Sequence, residues 1–419
     1  MNRPALLFFL LFLQGHFLNA QNWTIVDPAI TQSRLEDIVF PTPDLGFVVG
    51  PGGIYRSRDG GHSWKMVHRR NAFFRSVEFI DSLTGFAGTL NASLFQTTDG
   101  GNNWSNITSR IPGPVAGICG LAKVDSHLIA GVGTFDNVAT LIRSRDKGLS
   151  WTHQDLSDVA SSLVEVVFLD TLHGLIGGMS REGTHAVVLR TEDGGQTWTP
   201  VYTSNRALEY VWKMDVVNDS LIYASIENLS FSDCYILKST DGGRTWKEQL
   251  VTNGNFDLQG IGFLNELEGW VAPRRFSLFH TTDGGNSWTG TFGPSNINRI
   301  IRVGENKIFA VGTYIHRYQP ESTGIVPPDS EIILPEIRQL SPNPARNQAT
   351  VDIQIPEGSS ASVGLYDANG KWIRNPFPEK LNPGAHHLDL DLSGLPAGWY
   401  FLFLRCNAGF ASAKILVQP

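Results

Sequence analysis

Charge, cysteine and long apolar runs are all scarce in this chain, and each shortage removes a class of function. Charged residues make up 17% of the sequence, the formal net charge is −7, and no block of lysine and arginine occurs. Binding to a phosphate backbone needs clustered positive charge to release counterions, so nucleic acid is excluded as a partner class. Cys119, Cys234 and Cys406 lie far apart and show no CxxC or Cys/His spacing. They provide neither a disulfide framework nor a metal site, and buried free thiols are expected. Past the first 20 residues no segment approaches the length of a membrane-spanning helix. HExxH, GxSxG and phosphate-cradling glycine loops are missing too, so no metal and no cofactor is expected.

Glycine and aromatics are what the chain has instead: 43 glycines and 11% aromatic residues suit a turn-rich all-β protein. The N-terminus reads as a leader. Arg3 is a short basic region, Ala5 to Leu13 form an apolar core, and Ala20 is a small residue before Gln21. That grammar predicts a signal peptide over 1–20, with Sec export to the periplasm and no transmembrane segment after cleavage.

Six segments share Ser/Thr-x-Asp-x-Gly-x-x-Trp. Their Asp and Trp residues are Asp59/Trp64, Asp99/Trp104, Asp146/Trp151, Asp193/Trp198, Asp241/Trp246 and Asp283/Trp288, and the aspartates recur every 40 to 48 residues. That period is the length of a four-stranded propeller blade. A Gly-aromatic-aliphatic-small run, such as Gly46-Phe-Val-Val-Gly50 or Gly269-Trp-Val-Ala272, precedes each box. A short strand follows it, for example Val188-Leu189-Arg190-Thr191. Three strands thus precede each box and the Trp opens the fourth.

A further copy lacks the box. Arg299 to Val303, Lys307 to Gly312 and Tyr314 to Tyr318 match strands one to three, and Asn22-Trp23-Thr24-Ile25-Val26 reads as an orphan fourth strand. The expected fold class is therefore all-β: a seven-bladed β-propeller over 21–318 closed by the N-terminal strand. Closure removes exposed sheet edges. In each box the Asp carboxylate can accept hydrogen bonds from turn N–H groups, the second Gly suits positive φ, and the Trp buries a large ring. Each box holds a single Asp without the staggered oxygen ligands calcium needs, so the boxes read as structural.

These residues resemble the Asp-box, or BNR, repeats of sialidases, sortilin-type receptors, propeller glycosidases and photosystem II assembly factors. The whole repeat looks most like the assembly-factor group. The resemblance implies a propeller and leaves the ligand open.

Residues 319–336 are Pro-rich and acidic, a linker composition. Over 337–419 the period changes to strict alternation, as in Thr350-Val-Asp-Ile-Gln-Ile355 and His387-Leu-Asp-Leu-Asp-Leu392, which predicts a small Ig-like β-sandwich. Ser341-Pro342-Asn343-Pro344, Leu365-Tyr366-Asp367, Leu395 to Tyr400 and Lys414 to Val417 make this tail similar to the type A sorting domain of the type IX secretion system of Bacteroidetes. That similarity implies export by the type IX machinery, and a secreted or outer-membrane, cell-surface location.

In a propeller the strand d–a and b–c loops share one face, and the boxes lie on the other. Candidate binding residues on the first, top face are Arg75, Arg181, Tyr210, Trp212, Lys213, Arg274, Arg275 and Arg299, with Glu36, Gln259, Phe135, Asp136, Glu182 and His185 beside them. Arginines and aromatics are frequent anchors of protein or glycan contacts. No catalytic set assembles: Arg110-Ile111-Pro112 resembles a sialidase arginine motif but follows the second box. The chain reads as a non-enzymatic binder of an unknown protein or glycan. The alternatives are a sialidase-like or other glycoside hydrolase, and an assembly or scaffold factor for exported proteins.

Overall fold

The computed structural model describes residues 23–319 and 335–418, apart from 28–29, 31–33, 116, 127–128, 134–138, 183, 230–232, 254–256, 275–277, 292, 358–359, 368–371, 378–380 and 407–408. The leader, all but the ends of the 319–336 linker, and Phe135, Asp136 and Arg275 lie outside the described residues. Among the described residues the only helical element is one short turn, Thr108–Arg110.

Four repeats form separate four-stranded antiparallel meanders, beginning at Gly120–Lys123, Ala160–Phe168, Glu209–Val216 and Leu258–Phe263. The two repeats before them share one six-stranded sheet, because Lys65–Phe79 is continuous. Its first half is an exposed edge paired with Gly46–Ser57, and its second half is the buried first strand paired with Gly85–Thr89. The last sheet joins the two ends of this region: Trp23–Ile25 pairs with Ile315–Tyr318, Trp23 opposite Tyr318. Trp23 packs edge-on against Trp270, centroids 5.5 Å apart, so the closure is apolar as well as hydrogen-bonded.

Hydrophobic clusters of the repeat region lie between successive repeats. Phe47, Val49 and Ile54 of one repeat pack with Phe74, Phe79, Phe95 and Trp104 of the next. Phe47 stacks on Phe79 with centroids 4.2 Å apart. Burying each such ring contributes about 1.5–3 kcal/mol, which no single repeat could obtain alone.

The boxes repeat one hydrogen-bond pattern. Around Asp59, Ser57 Oγ donates to Oδ1 (2.7 Å) and accepts from Gly61 N (2.9 Å), while Ser63 donates its N–H to Oδ1 (2.9 Å). Trp64 Nε1 donates to Gly61 O at 3.1 Å. Trp151, Trp198, Trp246 and Trp288 do the same within their own boxes, whereas Trp104 Nε1 is buried without a partner. The Ser150 hydroxyl and amide hydrogen bonds hold the Asp146 carboxyl down at about 2, and Ser287 does the same for Asp283. Gly101 has φ +75°, and a Cβ there would stand 2.3 Å from Phe47 of the preceding repeat. The glycine thus serves both the turn and the close approach of neighbouring sheets.

A second recurring contact was not legible in the repeat. In five repeats the residue before the box Ser/Thr reaches the next box: Arg56 donates to Gly100 O (2.9 Å), Gln96 to Lys147 O (2.7 Å), Arg143 to Gly194 O (2.8 Å), Arg190 to Gly242 O (3.4 Å) and Lys238 to Gly284 O (2.7 Å). Arg110 joins this set by donating to Gln96 Oε1 and Gly148 O, both at 2.9 Å, so the arginine of the sialidase-like tripeptide is a staple between repeats.

The tail forms two antiparallel sheets around one core. Glu336–Ser341, Gln348–Ile355 and Gly384–Asp391 make the first; Trp372–Arg374, Ala361–Asp367, Gly398–Cys406 and Gly409–Val417 make the second. Asn343 of the Ser-Pro-Asn-Pro segment donates to Lys414 O (2.8 Å) and accepts from Leu416 N (3.0 Å), tying the start of the tail to its final strand. All three cysteines are buried.

Candidate functional site

Strand register defines two ends in each meander. In the Leu258–Phe263 sheet, Phe263 pairs with Gly269 and Gly269 with Thr281, at the box end; Leu258 pairs with Pro273 at the other. In the preceding sheet Glu209 pairs with Asn228 at that same box-distal end. Side chains from several repeats meet there around a pocket of about 740 Å3. Arg34, Glu36, Gln259 and Glu227 supply charge and hydrogen bonds, and Phe73, Tyr210, Trp212 and Leu229 supply apolar wall; Arg274 and Asn296 complete the rim.

The polar floor is one network. Arg34 grips Glu36 with two hydrogen bonds (2.9 and 3.0 Å) and donates to Gln259 Oε1 (2.7 Å) and Asn298 Oδ1 (3.1 Å). Asn298 also accepts from Trp212 Nε1 (2.7 Å) and donates to Glu36 O (2.6 Å). Arg75 lies 3.2 Å from Glu36 and 5.0 Å above the Trp212 ring, a cation–π arrangement in a desolvated setting. Gln259 Nε2 donates to Glu227 Oε1 at 2.6 Å.

Beneath lies a second charged layer. Glu165 accepts from Lys213 at 2.7 Å and from Arg299, and Arg299 Nε stands 3.5 Å from Asp37. Burial lowers the Lys213 pKa against the raising effect of Glu165. Further carboxyls have less help. Burial pushes Asp215 up to about 6 and Glu78 up to about 7, each keeping a backbone N–H bond, from Phe263 and Phe79. At the mouth, burial also pushes Glu227 up to about 7, with the Gln259 bond opposing it.

The sequence-derived candidates divide three ways. Tyr210, Trp212 and Arg274 line the pocket. Arg75 and Lys213 are buried, and Arg299 is mostly so; all three hold neighbouring carboxylates beneath the mouth. Arg181 is exposed and pairs with Asp158 at 3.4 Å, away from the pocket lining. Sequence reasoning missed Arg34, Phe73, Glu227, Leu229 and Asn298. One signal was available for Glu227: it is the single charged residue in Ile222–Asn228, sequence IYASIEN. Among the described residues no group of His, Cys, Asp and Glu is placed to hold a metal.

Residues 16–139 and 229–313 match the family model of the photosynthesis system II assembly factor YCF48, and residues 339–418 match that of a secretion system C-terminal sorting domain. The photosystem II assembly lipoprotein Ycf48 of Synechococcus sp. (strain CC9902) is 24% identical over 302 residues, covering 67% of this chain and 82% of the relative. A solved structure of YCF48 bound to D1 peptide is 22% identical, with a TM-score of 0.55 over 73% of this chain and 97% of that one. The Niastella koreensis GH74 enzyme is 12% identical, with a TM-score of 0.54 over 94% of this chain and 74% of that one. These similarities establish a propeller fold.

Proposed function

We propose, from the premise that this chain is an Asp-box propeller carrying a type IX sorting domain, that it is a secreted or cell-surface assembly or scaffold factor holding a segment of a partner protein at the box-distal mouth. The sheets over 23–318 are read as seven blades, the shared six-stranded sheet counting as two, with the N-terminal strand completing the last. The tail is read as an Ig-like sandwich that addresses the protein to the type IX machinery. The observation carrying the binding role is the pocket of about 740 Å3, where apolar walls and a preorganised polar floor converge from separate repeats. The relative bound to D1 peptide supports a protein segment as the ligand class.

One observation favours a hydrolase as second reading. Glu36 and Glu227 line the same pocket, and a carboxyl raised to about 7 suits a general acid. Glu36 ranks the reading below binding: it is 1% exposed, Arg34 grips both its oxygens, and Arg75 stands beside it, leaving no room to activate water.

Panning the intact chain against a displayed random seven-residue peptide library tests the binding role. Peptides are expected to be selected, to be lost by a Tyr210→Ala/Leu229→Ser variant, and to be kept by Asp193→Asn at a box. Failure to select peptides, or selection indifferent to the mouth variant, overturns it. Turnover of a fluorogenic glycan panel transfers the case to the hydrolase.

A further inference from the structure

Three carboxylates near the mouth each have a cation from the chain itself. Glu36 has Arg34 and Arg75, Glu165 has Lys213 and Arg299, and Glu209 has Arg206 at 2.7 Å. Glu227 receives one amide hydrogen bond, from Gln259 to Oε1, and no ion pair among the described residues. It is 4% exposed, yet it lines the pocket. Arg34 lowers the Glu227 pKa through space, but its hydrogen bonds go to Glu36, Gln259 and Asn298.

We infer that Glu227 is the receptor for a basic side chain, lysine or arginine, presented by the bound protein segment. This rests on the mouth being a peptide-binding site and names the chemistry it reads. An isolated buried carboxylate is costly, and a charge-assisted bond from an incoming cation removes that cost only in the complex. The walls fit the rest of such a side chain. Tyr210 offers aromatic surface to a cation, while Phe73, 37% exposed, and Leu229, 40% exposed, cover an aliphatic stem. Asp257 adds negative potential at Glu227; Arg34 and Arg274 oppose it. Burial holds the free carboxyl near 7, so a cation binding there displaces a proton, and affinity rises with pH between about 5.5 and 8.

The experiment sequences the peptides that the wild-type chain selects from the library and measures the affinity of the best ones for wild type and Glu227→Gln. Lys or Arg is expected at one fixed position. Glu227→Gln should bind those peptides about ten- to hundredfold more weakly, with thermal stability undiminished because the amide still accepts from Gln259. Calorimetry of the wild type near pH 6.5 in buffers of different ionisation enthalpy should show proton release that the variant lacks. Peptides that need Tyr210 but carry no common basic residue, or that bind both proteins equally, overturn the inference and leave the binding site standing. Absence of any mouth-dependent peptide overturns the site and the inference together.

Discussion

The Ser/Thr hydroxyl, Asp carboxylate and second-Gly N–H of a box find partners within four residues, as Ser57, Asp59 and Gly61 do, whereas Arg34 at the mouth reaches Gln259 and Asn298, 225 and 264 positions away. The boxes are six solutions of one local problem: a tight turn leaves N–H groups unpaired, and an Asp and a hydroxyl satisfy them. The mouth is a single network in which side chains from several repeats meet. Repetition builds the scaffold here, and the long-range contacts gather at the mouth.

Removing one member of the shared network therefore costs more than removing one member of a box. Glu165→Ala strands Lys213 and Arg299 in the interior and is expected to lower unfolding free energy by about 3–5 kcal/mol, read by denaturant titration. Adding Lys213→Met to it should recover part of that loss. Asp193→Ala removes the acceptor of Thr191, Gln196 and Thr197 and should cost about 1.5–3 kcal/mol. A box variant costing as much as Glu165→Ala would break the contrast.

Acid should separate the box carboxyls from the buried ones. The box carboxyls are held below their unfolded values near 4, so their contribution is complete above pH 4 and is lost as pH falls toward 2. Asp215, Glu78 and Glu227 are raised, so the folded state takes up their protons more readily; stability is expected to increase as pH drops from about 7.5 to 5. Melting temperature should thus peak near pH 5, and Asp215→Asn should flatten only the upper side. The smallest effect concerns two box tryptophans. Trp198→Phe loses the bond to Gly195 O, while Trp104 has none to lose, so Trp198→Phe should be more costly by about 0.5–1.5 kcal/mol.

Legibility in the sequence follows the same division. The boxes, the Gly-aromatic strands and the Trp23–Tyr318 closure were readable because their determinants sit within a few residues, or recur at a fixed period. In the tail, Glu336–Ser341 and Trp372–Arg374 escaped notice, being short and weakly alternating. Tyr210, Trp212 and Arg274 were found at the mouth because strand ends define that face, but Arg75 and Lys213 could not be told from surface anchors by position. Their burial depends on carboxylates contributed by other repeats, and one sequence without its fold does not say which cation meets which acid. Glu227 is the sharper case: it lines the mouth with no ion pair among the described residues, which its place in the sequence does not reveal.

Hydrogen exchange of the intact chain, with and without a saturating library-selected peptide, puts the division of labour to the test. Slowed exchange is expected in 34–37, 209–213, 225–229 and 258–260, with all six box hairpins unchanged. Protection of the hairpins, with the box-distal strand ends untouched, would contradict a binding mouth set apart from a structural repeat.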